Sequence, residues 1–336
     1  MRVLITGGAG FLGRLLTRRI LDRGWLIYQG DRVAVDQLLV LDRVGGIDLR
    51  DDRLLFVQGD YGDVDLLDSI SNTPIESIFH LASMMSAESE NEWLRSVTAN
   101  TAKTAVLLDS QHKRGIVPRF VFSSSIAALV DDGTSGQYNA SVLPQSTYGI
   151  TKLASELLIA DATRKGIVDG RAARLPTAVF RWGSGNRAAS SFLSTAFWAV
   201  LNGQQYISPV PLSQSMVVIG AHTAVDGLLA LHDLPRRLGS IFTVNLPGIV
   251  TSVNEVIATA NVIVEMESNP SRSRSEMKSS KGNSSSKVIV DSDPRVLEIV
   301  SRWPTTEWND RIARSLGFPA DRDLSSIAIE CKNSSH

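Results

Sequence analysis

The chain has one cysteine, Cys331, a net charge of only −1, and no uninterrupted apolar run of membrane-spanning length. Each scarcity excludes a class of protein. A lone cysteine rules out an intramolecular disulfide framework and fits a reducing compartment, and its place near the carboxyl tail argues against a catalytic thiol. Without about 20 consecutive apolar residues, no membrane span is expected. The balanced charge points away from a dominant polyanionic partner, so nucleic acid is not expected either. No metal-binding cluster is expected. Met1-Arg2 leads directly into an apolar run, so no signal peptide is expected ahead of the fold, and a cytoplasmic enzyme is the expectation. The sequons at Asn139, Asn283 and Asn333 then read as chance matches. What is present is 336 residues with 43% hydrophobic content, enough for a substantial core in one large or two modest domains.

The amino terminus carries the first motif. Met1-Arg-Val-Leu-Ile-Thr6 reads as a strand, Gly7-Gly-Ala-Gly-Phe-Leu-Gly13 as a turn, and Leu15, Leu16, Ile20 and Leu21 recur at helical spacing. Strand, glycine-rich turn and helix in that order form a dinucleotide-binding pattern. Gly7 serves the tight turn, Gly10 lets the backbone approach a pyrophosphate, and Gly13 allows the helix to pack closely on the strand. The free N–H groups of the helix amino terminus, at Phe11 and Leu12, then face the phosphates.

An acid at the end of the second strand should meet the adenosine ribose hydroxyls. Asp31 has the usual spacing but follows Tyr28-Gln29-Gly30, a poor strand. Asp42 ends Leu38-Leu-Val-Leu-Asp42, a clean buried strand. Asp42 is therefore chosen, with residues 24–37 read as an insertion, and its charge favours NAD over NADP.

Two further motifs concern chemistry. Phe120-Val-Phe-Ser-Ser-Ser125 is a strand ending in hydroxyls, at the end where open α/β sheets bind ligands. Tyr148-Gly-Ile-Thr-Lys152 places a phenol and an ammonium on one helix face. A cation there would favour the ionised phenol, giving a base able to take a proton from an alcohol. The same patterns occur on solvated helices and in serine caps, so neither stands alone.

Together these motifs make the chain resemble the extended short-chain dehydrogenase/reductase superfamily, over roughly residues 1–265 and again from Val288. The resemblance implies a Rossmann-type α/β fold, a doubly wound parallel sheet with a smaller carboxyl-terminal substrate lobe. Residues 1–180 would mainly bind NAD, and 181–336 would mainly form the substrate lobe while returning segments to the first domain. It also implies roles: Ser125, Tyr148 and Lys152 as catalytic residues, and Asn100 bending the fourth helix beside them. Asp60 would contact adenine, with Tyr61 beside it. Leu81 and Ala82, after His80, and Ser123 would line the cofactor.

Within that superfamily the chain is most similar to the D-erythronate dehydrogenase family. The similarity is carried by Arg174-Leu-Pro-Thr177, Arg181-Trp-Gly-Ser-Gly-Asn-Arg-Ala-Ala-Ser-Ser-Phe192, Val244-Asn-Leu-Pro-Gly248, Asp293-Pro294, Ile299–Pro304 and Ala313–Phe318. It implies oxidation of the C2 hydroxyl of a small sugar acid by NAD, giving the 2-keto acid. Arg187 is the first candidate for the substrate carboxylate, with Asn186, Ser190 and Ser191 as neighbours and His222 as a further candidate. Arg174 and Arg181 are assigned structural roles. Gly220-Ala-His-Thr-Ala224 and Arg181-Trp182-Gly183 depart from that family's usual Ser-Pro-Arg-Ser-Ala and Arg-Pro-Gly.

Two other readings stay open, a nucleotide-sugar epimerase or dehydratase with tightly bound NAD and a non-catalytic cofactor-sensing regulator. The first lacks its usual diphosphate-binding arginine at Gln214-Ser215-Met216. The second would not need Ser125, Tyr148 and Lys152. A homodimer through helices of the nucleotide domain is implied by resemblance. The serine-rich stretch 268–287 has almost no apolar side chains and is expected to be a disordered surface loop.

Overall fold

The computed structural model describes residues 1–112, 115–129, 144–181, 189–235, 242–268, 287–304 and 308–333. The first strand, β1 (Arg2–Thr6), is apolar on both faces because both are covered, as parallel sheets require. Val3, Leu4 and Ile5 are fully buried. A short hairpin, β2 (Trp25–Tyr28) and β3 (Asp31–Ala34), precedes the next sheet strand, β4 (Gln37–Asp42). Then come β5 (Leu54–Gln58), β6 (Ser77–His80), β7 (Arg119–Ser125) and β8 (Asp169–Leu175), with helices between them.

After β8 the chain leaves the sheet through β9 (Thr177–Val179), β10 (Tyr206–Ser208) and β11 (Ser215–Gly220). It re-enters as β12 (Phe242–Asn245), then adds β13 (Ile249–Ser252) and β14 (Val288–Val290). The seven-stranded sheet has the order β12-β8-β7-β6-β1-β4-β5, with every neighbouring pair parallel. From β1 the chain first runs outward to β4 and β5, then crosses back to β6 on the other side. The carboxyl ends of β1 and β6 therefore flank a crevice, where open α/β sheets hold ligands. The fold is the doubly wound α/β class expected from the sequence.

The smaller lobe contains the sheet β13-β11-β9 and the pair β10-β14. Its core joins Phe180, Phe192, Phe197, Val217, Val256 and Trp303. Phe180 and Phe197 stack with ring centroids 3.9 Å apart. Among the described residues, no helix is long and apolar enough to cross a membrane.

The stretch 24–37 is the hairpin, turning through Gln29 (φ 55°) and Gly30 (φ 98°). Two positive φ values in a two-residue connection match the twist of hairpin strands. Asp31 belongs to that hairpin, away from the crevice, whereas Asp42 ends the sheet strand. The hairpin is held by Asp233, which accepts from Ile27 N at 3.1 Å and pairs with Arg23 at 2.5 Å.

At the amino ends of β6, β7 and β8 lies a buried polar network. Arg119 and Arg171 both bond Asp169, at 3.3 and 3.0 Å. Arg171 Nη1 also donates to the carbonyls of Leu231, His232 and Leu234, at 2.7, 2.9 and 2.7 Å. These are carbonyls that the end of the helix Ala221–Asp233 would otherwise leave unbonded. His232 sits between Ser77 Oγ and Asp233, both at 2.9 Å, and burial lowers its pKa to about 4.

Candidate active site

One continuous cleft of about 440 Å³ runs across the carboxyl ends of the sheet. Its first wall is the glycine turn. Gly10 precedes the helix Phe11–Arg23 and makes no side-chain cap, so the first helical N–H groups face the cleft without a partner from that residue. A methyl group at Gly13 would fall on the Gly7 carbonyl and the Gly8 backbone, and one at Gly7 would lie 2.6 Å from Ala82 N. Gly7 is also left-handed, with φ 73°. The turn is thus a cradle that admits only glycine at these points, and it fits a dinucleotide pyrophosphate.

The carboxylate of Asp42 continues that wall. It accepts from Ala9 N at 3.0 Å and from Val44 N at 3.1 Å. Asp60 lies beyond it, bonded by Lys103 Nζ at 2.5 Å and Gly62 N at 2.8 Å. Gly7, Gly10, Phe11, Leu12, Gly13, Asp42, Asp60, Tyr61, Leu81, Ala82 and Ser123 all line the cleft. Beneath it His80 is fully enclosed, between Thr6 Oγ1 at 2.6 Å and Thr104 Oγ1 at 3.0 Å. Burial lowers its pKa to about 3, so it is neutral at pH 7.

Ser125, Tyr148 and Lys152 meet at the other end of the cleft. The helix Thr147–Arg164 starts beside β7 because Ser146 caps it, accepting from Gly149 N at 3.1 Å. Gly149 has no room for a side chain, since a Cβ there would strike the Ala127 carbonyl. The Tyr148 hydroxyl is close enough to Ser83 and Ser125 for their hydroxyls to influence its ionisation. Ser125 Oγ additionally accepts from Ala127 N at 3.1 Å, so it caps a turn and faces the cleft at once. Lys152 Nζ donates to the Ser123 carbonyl at 2.8 Å.

The electrostatics differ from the sequence expectation. Burial raises the pKa of Tyr148, opposed by the Ser83 hydroxyl, the charge of Arg181 and the Ser125 hydroxyl. Lys152 is itself perturbed. Its own pKa is lowered to about 7 by burial, partly offset by Glu156. Its ammonium is directed to the Ser123 carbonyl and lies 5.5 Å from the centre of the Tyr148 ring. Glu156, one turn further along the same helix, is buried and held by Ser124 and by Arg174, whose Nη2 donates at 2.6 Å.

Asn100 does not face the cleft. It lies in a π-helical turn, Thr98–Ala102, and is almost fully buried. Its Oδ1 accepts from Met84 N at 2.6 Å and its Nδ2 donates to Thr151 Oγ1 at 3.1 Å. Both side-chain polar atoms are spent inside the protein, so Asn100 holds the Met84 backbone and the Thr151 hydroxyl.

The substrate candidates separate. Ser190 lines the cleft, whereas His222, on the first turn of the helix Ala221–Asp233, does not. Asn186 and Arg187 lie outside the described residues, as does Trp182. Arg181, assigned a structural role from sequence, instead lines the cleft beside Tyr148. Its Nε donates to the Ala178 carbonyl at 3.1 Å, and the guanidinium lies 5.8 Å from the Phe11 ring centre. Among the described residues no carboxylate pairs with it. Ser83, which follows the cofactor-lining His80-Leu81-Ala82, also lines the cleft, as do Thr177 and Trp303 from two of the quoted motifs, and Met84 and Lys103, which no motif singled out. Glu156, which holds Ser124 and Arg174, was readable only as lying four residues after Lys152 on the same helical face.

The NAD dependent epimerase/dehydratase family matches residues 3–244. A D-erythronate dehydrogenase of Cupriavidus necator is 35% identical over 97% of this chain and 96% of its own length. One from Haemophilus influenzae is 31% identical over 97% of each. Among solved structures, a nucleoside-diphosphate-sugar epimerase from Agrobacterium tumefaciens superposes with a TM-score of 0.79 at 25% identity, covering 100% of this chain and 95% of that one. A GalE-like L-threonine dehydrogenase from Cupriavidus necator, in its holo form, gives 0.80 at 20% identity with 100% coverage of both, a likeness of fold.

Proposed function

The chain belongs to the NAD dependent epimerase/dehydratase family and takes NAD as its cofactor, and from that premise we propose that it is a dehydrogenase of small sugar acids. The reaction is oxidation of the C2 hydroxyl of D-erythronate, or a close analogue, to the 2-keto acid. The observation that carries the substrate class is Arg181. A guanidinium removed from bulk water is stabilised by an anionic partner; the Arg181 guanidinium is buried, donates to the Ala178 carbonyl, and meets no carboxylate among the described residues. A substrate carboxylate in the cleft beside Tyr148 supplies that partner. The naming of two near full-length relatives as D-erythronate dehydrogenases supports the same class.

Bound NAD supplies the hydride acceptor; the protein's own residues do the rest. The glycine cradle and the helix amino terminus hold the pyrophosphate, and Asp42 meets the adenosine ribose. Ser125 Oγ holds the reacting hydroxyl against Tyr148. The Tyr148 phenolate takes the hydroxyl proton as hydride departs from C2 and the carbonyl forms. Lys152 spends one N–H on Ser123 and keeps the others for ribose hydroxyls. Arg181 fixes the carboxylate and, by its charge, favours the phenolate. Trp93, Leu94, Ile150 and Leu157 are exposed apolar side chains on the helices Trp93–Val97 and Thr147–Arg164, which suits a homodimer through that face.

The test is NADH formation across four-carbon aldonic acids. Turnover of D-erythronate is expected, and Tyr148→Phe should lower it on the order of 10²–10⁴-fold while NADH affinity is little changed. Absence of turnover with every acid, despite NADH binding, would remove the substrate assignment. A nucleotide-sugar epimerase would instead show no net NADH, and Gln214-Ser215-Met216 offers no arginine for its substrate's diphosphate.

A further inference from the structure

Among the described residues lining the cleft, Trp303 alone comes from beyond Ser190. It follows the helix Pro294–Val300, which packs against the turn Ala189–Ser191 that carries Ser190. Its indole is buried in an apolar cluster with Ile126, Ala189, Phe192 and Val300, and the Tyr148 ring packs against the same cluster. Two ties hold the backbone there. Trp303 N donates to the Val300 carbonyl at 3.3 Å, and Arg302 Nη1 reaches Gln145 Oε1 at 3.3 Å, just ahead of the helix bearing Tyr148. Among the described residues the indole N–H donates no hydrogen bond, and Trp303 lines the cleft, so the N–H is free to meet a ligand there.

We propose that Trp303 is the wall that limits substrate length, closing the cleft beyond C2 so that only a short acid fits between it and Arg181. The proposal rests on the sugar-acid reading above. It rests on three facts: a large side chain lines the cleft, its backbone N–H is bonded to the Val300 carbonyl, and it belongs to the apolar cluster against which the ring of the proposed base packs. Its unused N–H is a donor for the terminal hydroxyls of a short polyol chain. Distinguishing acids by length through a wall of this kind relies on exclusion, since an extra carbon must displace packed atoms.

The experiment is a ladder of aldonic acids with four, five and six carbons. Dissociation constants are measured on the NADH-loaded enzyme by calorimetry, and kcat/KM with NAD, for the unmodified protein and for Trp303→Ala and Trp303→Phe. The unmodified enzyme should prefer four carbons. Trp303→Ala should shift the six-to-four-carbon preference by tenfold or more in both measures. Trp303→Phe, which keeps most of the bulk but loses the N–H, should weaken the four-carbon acid without admitting the longer ones, and it serves if the alanine variant does not fold. A length preference unmoved in Trp303→Ala, or moved equally in Trp303→Phe, overturns the proposal. Failure of the unmodified enzyme to bind any acid refutes the sugar-acid reading itself, and the proposal with it.

Discussion

Asp42 shows what a single side chain decides in this cleft. Its carboxylate is fixed by two backbone N–H groups, so it cannot swing aside for a cofactor carrying a 2′-phosphate. Like charges brought together there cost several kcal/mol. Asp42→Asn keeps the shape and one acceptor oxygen but removes the charge. It should improve the NADPH/NADH affinity ratio on the order of tenfold to a hundredfold, read by fluorescence titration of the two cofactors; an unchanged ratio would mean another residue discriminates. The choice of Asp42 over Asp31 was legible because buried strand composition outranked motif spacing. Arg181 was not legible. Sequence shows which residues are cationic, whereas its assignment depends on which cation lacks a carboxylate after folding. The bond from the Lys152 ammonium to the Ser123 carbonyl likewise depends on the fold and has no mark in the sequence.

Elements are held in place by a few buried polar contacts. The helix Thr147–Arg164 is tied to β8 by the pair Glu156–Arg174, with side chains only 5% and 13% exposed. Removing one partner of such a pair leaves a buried charge uncompensated, at about 3–5 kcal/mol. Arg174→Met should lower stability by that order in urea unfolding, and adding Glu156→Gln should restore part of it. A loss below about 1 kcal/mol would place the pair among weak surface bridges. The elements themselves were largely readable, because parallel strands buried on both faces give continuous apolar runs. The π-helical turn at Asn100 was readable only as a bend: how the bend disposes the side chain depends on Met84 and Thr151, which are distant in sequence.

For the whole molecule, two fully enclosed histidines set an acid limit. His80 and His232 have pKa values lowered by burial to about 3 and about 4. In the unfolded chain both titrate at about 6.5, so between those values the unfolded state binds more protons. Stability therefore rises with pH across that interval and is lost as pH falls below about 6.5. From pH 7 to pH 5 the loss should be roughly 2 kcal/mol for each histidine, visible as a falling urea midpoint. His80→Asn or His232→Asn should flatten the profile. β12 returns to the main sheet beside β8, while residues 269–286 of the stretch expected to be disordered and the Arg187 loop fall outside the described residues.

The polar network of Arg119, Asp169, Arg171 and His232 stands at the amino ends of the same strands whose carboxyl ends carry the chemistry. Along β7, Arg119 and Ser125 are separated by roughly 20 Å of extended chain. That separation makes the two ends energetically independent, since distant sites without shared partners add their effects. Changes that strengthen the lower end can thus compensate for destabilising substitutions in the cleft without altering what the cleft binds. Such a division lets substrate preference drift over evolutionary time while the scaffold absorbs the cost.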